Sequence, residues 1–127
     1  MEHPLSFGSN VSIGDMPPEE FRKHGHQLVD WIADYLQNIE RYPVLPNTQP
    51  GDIRRSLPAS PPQEGEPMGT ILADFDRLIM PGMTHWNHPR FHAFFNSSAS
   101  SPGILAELLS AALNGNAMVW QSGPAVT

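Results

Sequence analysis

Three histidines in one short run, His85, His88 and His92, are the residues of this chain that most invite a chemical role. Their spacing, two and then three intervening residues, is one at which imidazoles pair on zinc. Pro89 lies between them and bars a shared regular helix face. No cysteine or nearby acid completes a ligand set, since Asp76 and Glu107 fall on separate predicted helices. Histidines packed beside rings or bonded to backbone are the commoner outcome, so no metal site is expected. Ser97, Ser98, Ser100 and Ser101 lie close to His92, but there is no G-x-S-x-G elbow, and neighbours in sequence are not a triad. The same small-residue run ahead of a helix could cradle an anion through backbone N–H groups, yet it lacks the glycine pattern of a phosphate loop. For covalent chemistry the chain has one lysine, Lys23, between Arg22 and His24. It falls on the polar side of a predicted helix with nothing to bury it, and it reads as a surface residue. No catalytic residue is assigned.

Helices and a long connection must position these groups. Asp15, then Pro17, Pro18, Glu19 and Glu20, has the form of a helix start: a cap candidate, early proline and acids in the first turn. Phe21, Leu28, Trp31, Ile32, Tyr35, Leu36 and Ile39 follow helical spacing, opposite Arg22, Lys23, Asp30, Asp34 and Gln37. This predicts a helix from about Pro18 to Glu40 with an aromatic packing stripe. Residues 42–67 hold seven prolines, a density that predicts a connection without a helix. Met68, Ile71, Leu72, Phe75, Leu78 and Ile79 predict a second helix, ended by Pro81-Gly82. A third is predicted from about Pro102 to Leu113, with Ser101 as cap and Asn114-Gly115 as stop. Ser122 with Pro124 has the look of one more helix start. Residues 1–16 show no periodicity and read as a flexible arm, which leaves 17–127 as a helical segment.

Composition narrows the function. The chain has 127 residues and a net charge of −6, which excludes the basic stripe that nucleic acid needs. No apolar run approaches the ~18 residues of a membrane span. The start, "MEHPLSFGSN", lacks the regions of a signal peptide, so a cytoplasmic protein is expected. From Pro81 to Thr127 only Arg90 and Glu107 are charged. So apolar a stretch expects a cover, either the rest of a longer chain or a second subunit. The third helix is accordingly expected to be buried on most sides.

The blocks "FRKHGHQLVDWIADYL", "ILADFDRLIMPGMTHWNHPRFHAFF", "ILAELLSAALN" and "VWQSGPAVT" together carry a resemblance. The chain resembles the N-terminal region of the group II pyridoxal phosphate (PLP)-dependent amino acid decarboxylases, in the aromatic-L-amino-acid and tyrosine decarboxylase branch. That resemblance implies a mainly α fold. It would be an extended segment of about three helices plus the Pro-rich connection, belonging to a fold-type I enzyme whose large α/β domain is absent here. It implies a parent lyase that converts an L-amino acid, of aromatic type, to an amine and carbon dioxide, with PLP bound covalently by none of the residues present. This chain alone is expected to be inactive.

The resemblance also implies a homodimer in which this segment packs on the partner subunit. Trp86, Phe94, Phe95 and Ser97 match substrate-pocket positions, with Asn96-Ser97 in place of the family's usual Pro-Thr. Asn116 and Met118 match positions that reach the neighbouring subunit's pocket, and Asn116 leaves the side-chain preference open. Apolar and aromatic walls of this kind suit an aromatic side chain and a dry site. The alternative reading is a non-catalytic helical module that associates through its apolar face.

Overall fold

The computed structural model describes residues 15–95 and 97–126, as two compact units that meet in sequence at Thr84 and His85. Every regular element among these residues is helical. The expected arm lies almost wholly outside the described residues.

In the first unit, α1 runs from Pro18 to Gln37. It starts as the sequence indicates, with proline in the first turn and Glu19 and Glu20 beside the positive helix end. The cap differs. Pro17 holds the N-cap position and has no side chain to accept a bond, while Asp15 takes the N–H of Met16 at 2.8 Å. At the other end Asn38 bonds the carbonyl of Asp34 through both its backbone N–H, at 2.9 Å, and its side-chain amide, at 2.8 Å. A 3₁₀ turn, Ile39–Arg41, follows.

The stripe of α1 is used unevenly. Trp31, Ile32, Tyr35, Leu36 and Ile39 are half-buried, whereas Phe21 is exposed. Trp31 is the centre. Its ring stacks on Tyr35 at 5.4 Å and meets the edge of Phe75 at 5.4 Å, and Tyr35 meets Tyr42 at 5.2 Å. Each such pair contributes about 0.5–1.5 kcal/mol beyond burial. Three in series tie α1 both to the next long helix and to the connection. Burial, and secondarily Tyr42, raises the pKa of the Tyr35 hydroxyl.

The connection contains a helix that proline density did not suggest. The short α2 spans Asp52–Ser56. Its prolines flank rather than fill it: none falls between Pro50 and Pro58. Asp52 organises the turn, accepting the N–H of Gln49 at 2.7 Å and pairing with Arg55. Ile53 of α2 lies against Gly82, where a Cβ would come within 2.8 Å of its side chain. Thr48 donates to the carbonyl of Pro81 at 3.2 Å.

The next helix, α3, covers Met68–Asp74, continues as a π turn over Phe75–Ile79 and closes with a 3₁₀ turn at Met80–Gly82. The expected helix to Ile79 is thus present, with a wider last part. Met80 is the buried residue of this unit.

Among the described residues of the second unit the long helix is α4, from Ser101 to Leu113. Its cap is Ser100, one residue before the expected Ser101, with Oγ accepting the N–H of Gly103 at 3.2 Å. Asn114 stops the helix in the left-handed region, at φ 46°. Every position of α4 but Ile104 is exposed, so the cover expected for it does not come from the described residues of this chain. No other helix of this unit is long enough to lie along it. The fourth start expected near Ser122 is a 3₁₀ turn, Trp120–Ser122, with Ser122 as its last residue.

Because Trp31 makes two of these ring contacts, with Tyr35 and Phe75, Trp31→Ala should destabilise the first unit by about 2–3 kcal/mol. Arg55→Ala, which breaks an exposed ion pair, should cost under about 1 kcal/mol. Urea unfolding followed by circular dichroism checks both, and equal losses would contradict the primacy of the ring series.

Candidate functional site

The second unit begins with two linked turns. The N–H of His88 donates to the carbonyl of His85 at 2.9 Å, and that of Phe91 to His88 at 2.9 Å. Pro89 takes the position that proline favours in the second turn, its fixed φ already suited. A repeat of three puts His85, His88 and Phe91 inward, and all three are buried. Trp86, Pro89 and Arg90 face out, and Asn87 is half-buried.

His88 accepts the backbone N–H of Arg90 through Nδ1 at 3.0 Å, so its proton is on Nε2. Burial lowers the pKa of His85, and the neighbouring His88 adds to the effect. His92 is exposed. Among the described residues no three His, Asp or Glu side chains gather as a metal-binding group.

The aromatic residues form a face on this base. Trp86 packs on Phe91 at 4.9 Å and stacks nearly parallel on Phe94 at 5.8 Å, and Phe91 and Phe94 are 6.5 Å apart. Phe94 adopts φ 58°, in the left-handed region. For a bulky residue that costs about 1–2 kcal/mol. Its two ring contacts, at about 0.5–1.5 kcal/mol each, are of the size needed to offset it. Phe94 remains 83% exposed, so its outer face is open to a ligand ring.

Of the residues proposed from the sequence, the structure joins Trp86 and Phe94. Phe95 and Ser97 are exposed beside them, and Asn96 lies outside the described residues. Asn116 and Met118 sit on the loop after α4, where the Asn116 side chain accepts the N–H of Met118 at 2.7 Å. Ser122 closes that loop, donating to the carbonyls of Val119 at 2.8 Å and Asn116 at 3.1 Å. A Cβ on Gly123 would stand 2.4 Å from the Asn116 carbonyl, so only glycine fits there.

Two residues carry weight that sequence reasoning missed. Phe91 is the buried ring beneath the face, for which the signal was the three-residue repeat from His85. Asn87 bonds the backbone of Ala99 at 3.0 Å, a partner that no local pattern announces. Lys23 is exposed on α1. It is the one lysine of the chain and is not buried, so it offers PLP no enclosed amine. In the first unit an apolar furrow of about 340 Å³ lies between α1 and α3, lined by Leu28, Trp31, Leu72 and Phe75. It holds no titratable group that could act on a substrate.

Residues 50–127 match the family model described as the pyridoxal-dependent decarboxylase conserved domain. Phenylacetaldehyde synthase of a Rosa hybrid cultivar is 49% identical over 112 residues, 88% of this chain and 22% of the relative. The aromatic-L-amino-acid decarboxylase of Catharanthus roseus is 46% identical over 122 residues, covering 94% of this chain and 24% of the relative. The crystal structure of Oryza sativa TDC with PLP and tryptamine superposes with a TM-score of 0.81 at 38% identity, over 87% of this chain and 23% of that one. The chain therefore spans about a quarter of the length of the proteins it matches.

The state of His85 yields a pH prediction. Its folded pKa lies below the unfolded value near 6.5, so the unfolded chain binds the proton more readily. Stability is complete above about pH 6.5 and falls as pH drops through that value, by at most about 1.4 kcal/mol per pH unit for one group. Urea midpoints should decline from pH 7.5 to pH 5.5, and His85→Gln should flatten the decline. An unchanged slope in that variant would show that His85 is not the group responsible.

Proposed function

Because this chain belongs to the pyridoxal-dependent decarboxylase family, we propose that residues 17–127 act as the N-terminal helical segment of a PLP-dependent carboxy-lyase. The whole enzyme takes an L-amino acid with an aromatic side chain and releases carbon dioxide. The observation that carries this reading is the stacked face of Trp86 and Phe94 over Phe91, preassembled and open on one side. A flat hydrocarbon wall recognises a substrate ring through burial and offset stacking. It also keeps water from the reacting carbons.

Trp86, Phe94, Phe95 and Ser97 supply that wall in this reading, and Asn116 and Met118 complete the pocket of the neighbouring subunit. The exposed apolar residues of α4, Leu105, Leu108, Leu109 and Leu113, serve the contacts of a homodimer. Their exposure also supports the second reading, a helical association module without catalysis. The relatives' names include both a decarboxylase and an aldehyde synthase, so the product is an amine or, with oxidation, the corresponding aldehyde. PLP is held by the remainder of the whole enzyme, outside these 127 residues. No described helix is long and apolar enough to cross a membrane, and a cytoplasmic location is proposed.

Mixed with PLP, this chain by itself should develop no lysine-linked absorbance band and release no carbon dioxide. A band lost on Lys23→Ala would contradict that. In the full-length enzyme Phe94→Ala should lower kcat/KM for aromatic L-amino acids by at least about tenfold, or about 1.4 kcal/mol. Carbon dioxide release, with amine and aldehyde quantified together, provides the assay. An enzyme inert toward every aromatic amino acid, yet dimeric through α4, would favour the association module.

A further inference from the structure

Asn87 follows Trp86 directly, and its Oδ1 accepts the backbone N–H of Ala99 at 3.0 Å. The bond closes the loop of residues 88–98, which carries Phe94, Phe95 and Ser97. Ala99 in turn precedes Ser100, the cap of α4. One side chain therefore joins the turn that bears Trp86 to the start of the helix.

Little else fixes this loop. Among its described residues, no backbone-to-backbone hydrogen bond occurs after that of Phe91 until Ile104 bonds Ser100. Residues 92–95 and 97–100 are exposed. Chain without backbone bonds or burial opens at little cost, and its position is set by its end points. One end is the turn that buries His85, His88 and Phe91; the other is Ala99. The ring contacts of Phe94, whose backbone is left-handed, act between these ends.

The geometry points to Asn87 as a positioning residue for the aromatic wall: by latching Ala99 it sets where Phe94, Phe95 and Ser97 stand relative to Trp86. The inference rests on the reading of that wall as substrate-facing. The latch needs an acceptor at this side-chain length. Aspartate supplies one at the same reach, leucine has the size without the acceptor, and serine is too short.

The test compares Asn87→Leu, Asn87→Ser and Asn87→Asp in the full-length enzyme, with kcat and KM for aromatic L-amino acids and hydrogen exchange at Ala99. Loss of one such bond corresponds to roughly a three- to tenfold effect. Leucine and serine should raise KM by that factor with kcat within about twofold, and should speed exchange at Ala99. Aspartate should keep both near wild type. The serine variant carries the test if the leucine variant does not fold. Faster exchange with unchanged KM would overturn the inference, as would unchanged exchange or a loss confined to kcat and active fraction. A wild-type enzyme inert toward all aromatic amino acids would sink the functional reading and this inference with it. An active wild type whose KM ignores Asn87 would sink the inference alone.

Discussion

His88 accepts the N–H of Arg90 through Nδ1 at 3.0 Å, and the unprotonated nitrogen this requires is the constraint on which the second unit rests. A proton there would turn an acceptor into a donor facing a donor. Burial, and secondarily the neighbouring His88, lower the pKa of His85. The turns close in steps of three, and Phe91 follows the histidines inward. Trp86 is then left on the outside with a buried ring beneath it, which is the requirement for an aromatic face.

The two units solve different problems. In the first, no helix buries a full stripe, and a series of rings from Phe75 through Trp31 and Tyr35 to Tyr42 links elements far apart in sequence. In the second, rings do not form an interior but stand on the surface over a single buried Phe91. The apolar residues of α4 are exposed as well. A chain spanning about a quarter of its relatives' length, with apolar surface of this extent, is suited to being covered by further protein.

Periodicity made the long helices legible. α1, α3 and α4 lie close to where their apolar spacing put them, because that spacing is local and strong. α2 was not legible, since a count of prolines over 42–67 hides the gap between Pro50 and Pro58 that Asp52 uses. The cap of α4 was displaced by one residue because Ser100 and Ser101 are equal in chemistry and only backbone geometry separates them. The exposure of α4 within this chain follows from the same low charge, which says that a helix wants cover and not that its own unit supplies it. At the site the wall residues came from the resemblance, and the stacking of Trp86 on Phe94 depends on a left-handed backbone that the sequence gives no reason to expect. Asn87 was illegible for the same kind of reason: its partner is twelve residues away.

In the proposed function the face of Trp86 and Phe94 receives the ring of the substrate. A structure of the full-length enzyme with an aromatic amine bound tests it most directly. The ligand ring is expected within the stacking range of about 4.5–7 Å from Trp86 or Phe94. A ligand ring bound beyond that range, with both side chains enclosed by protein packing, would contradict it.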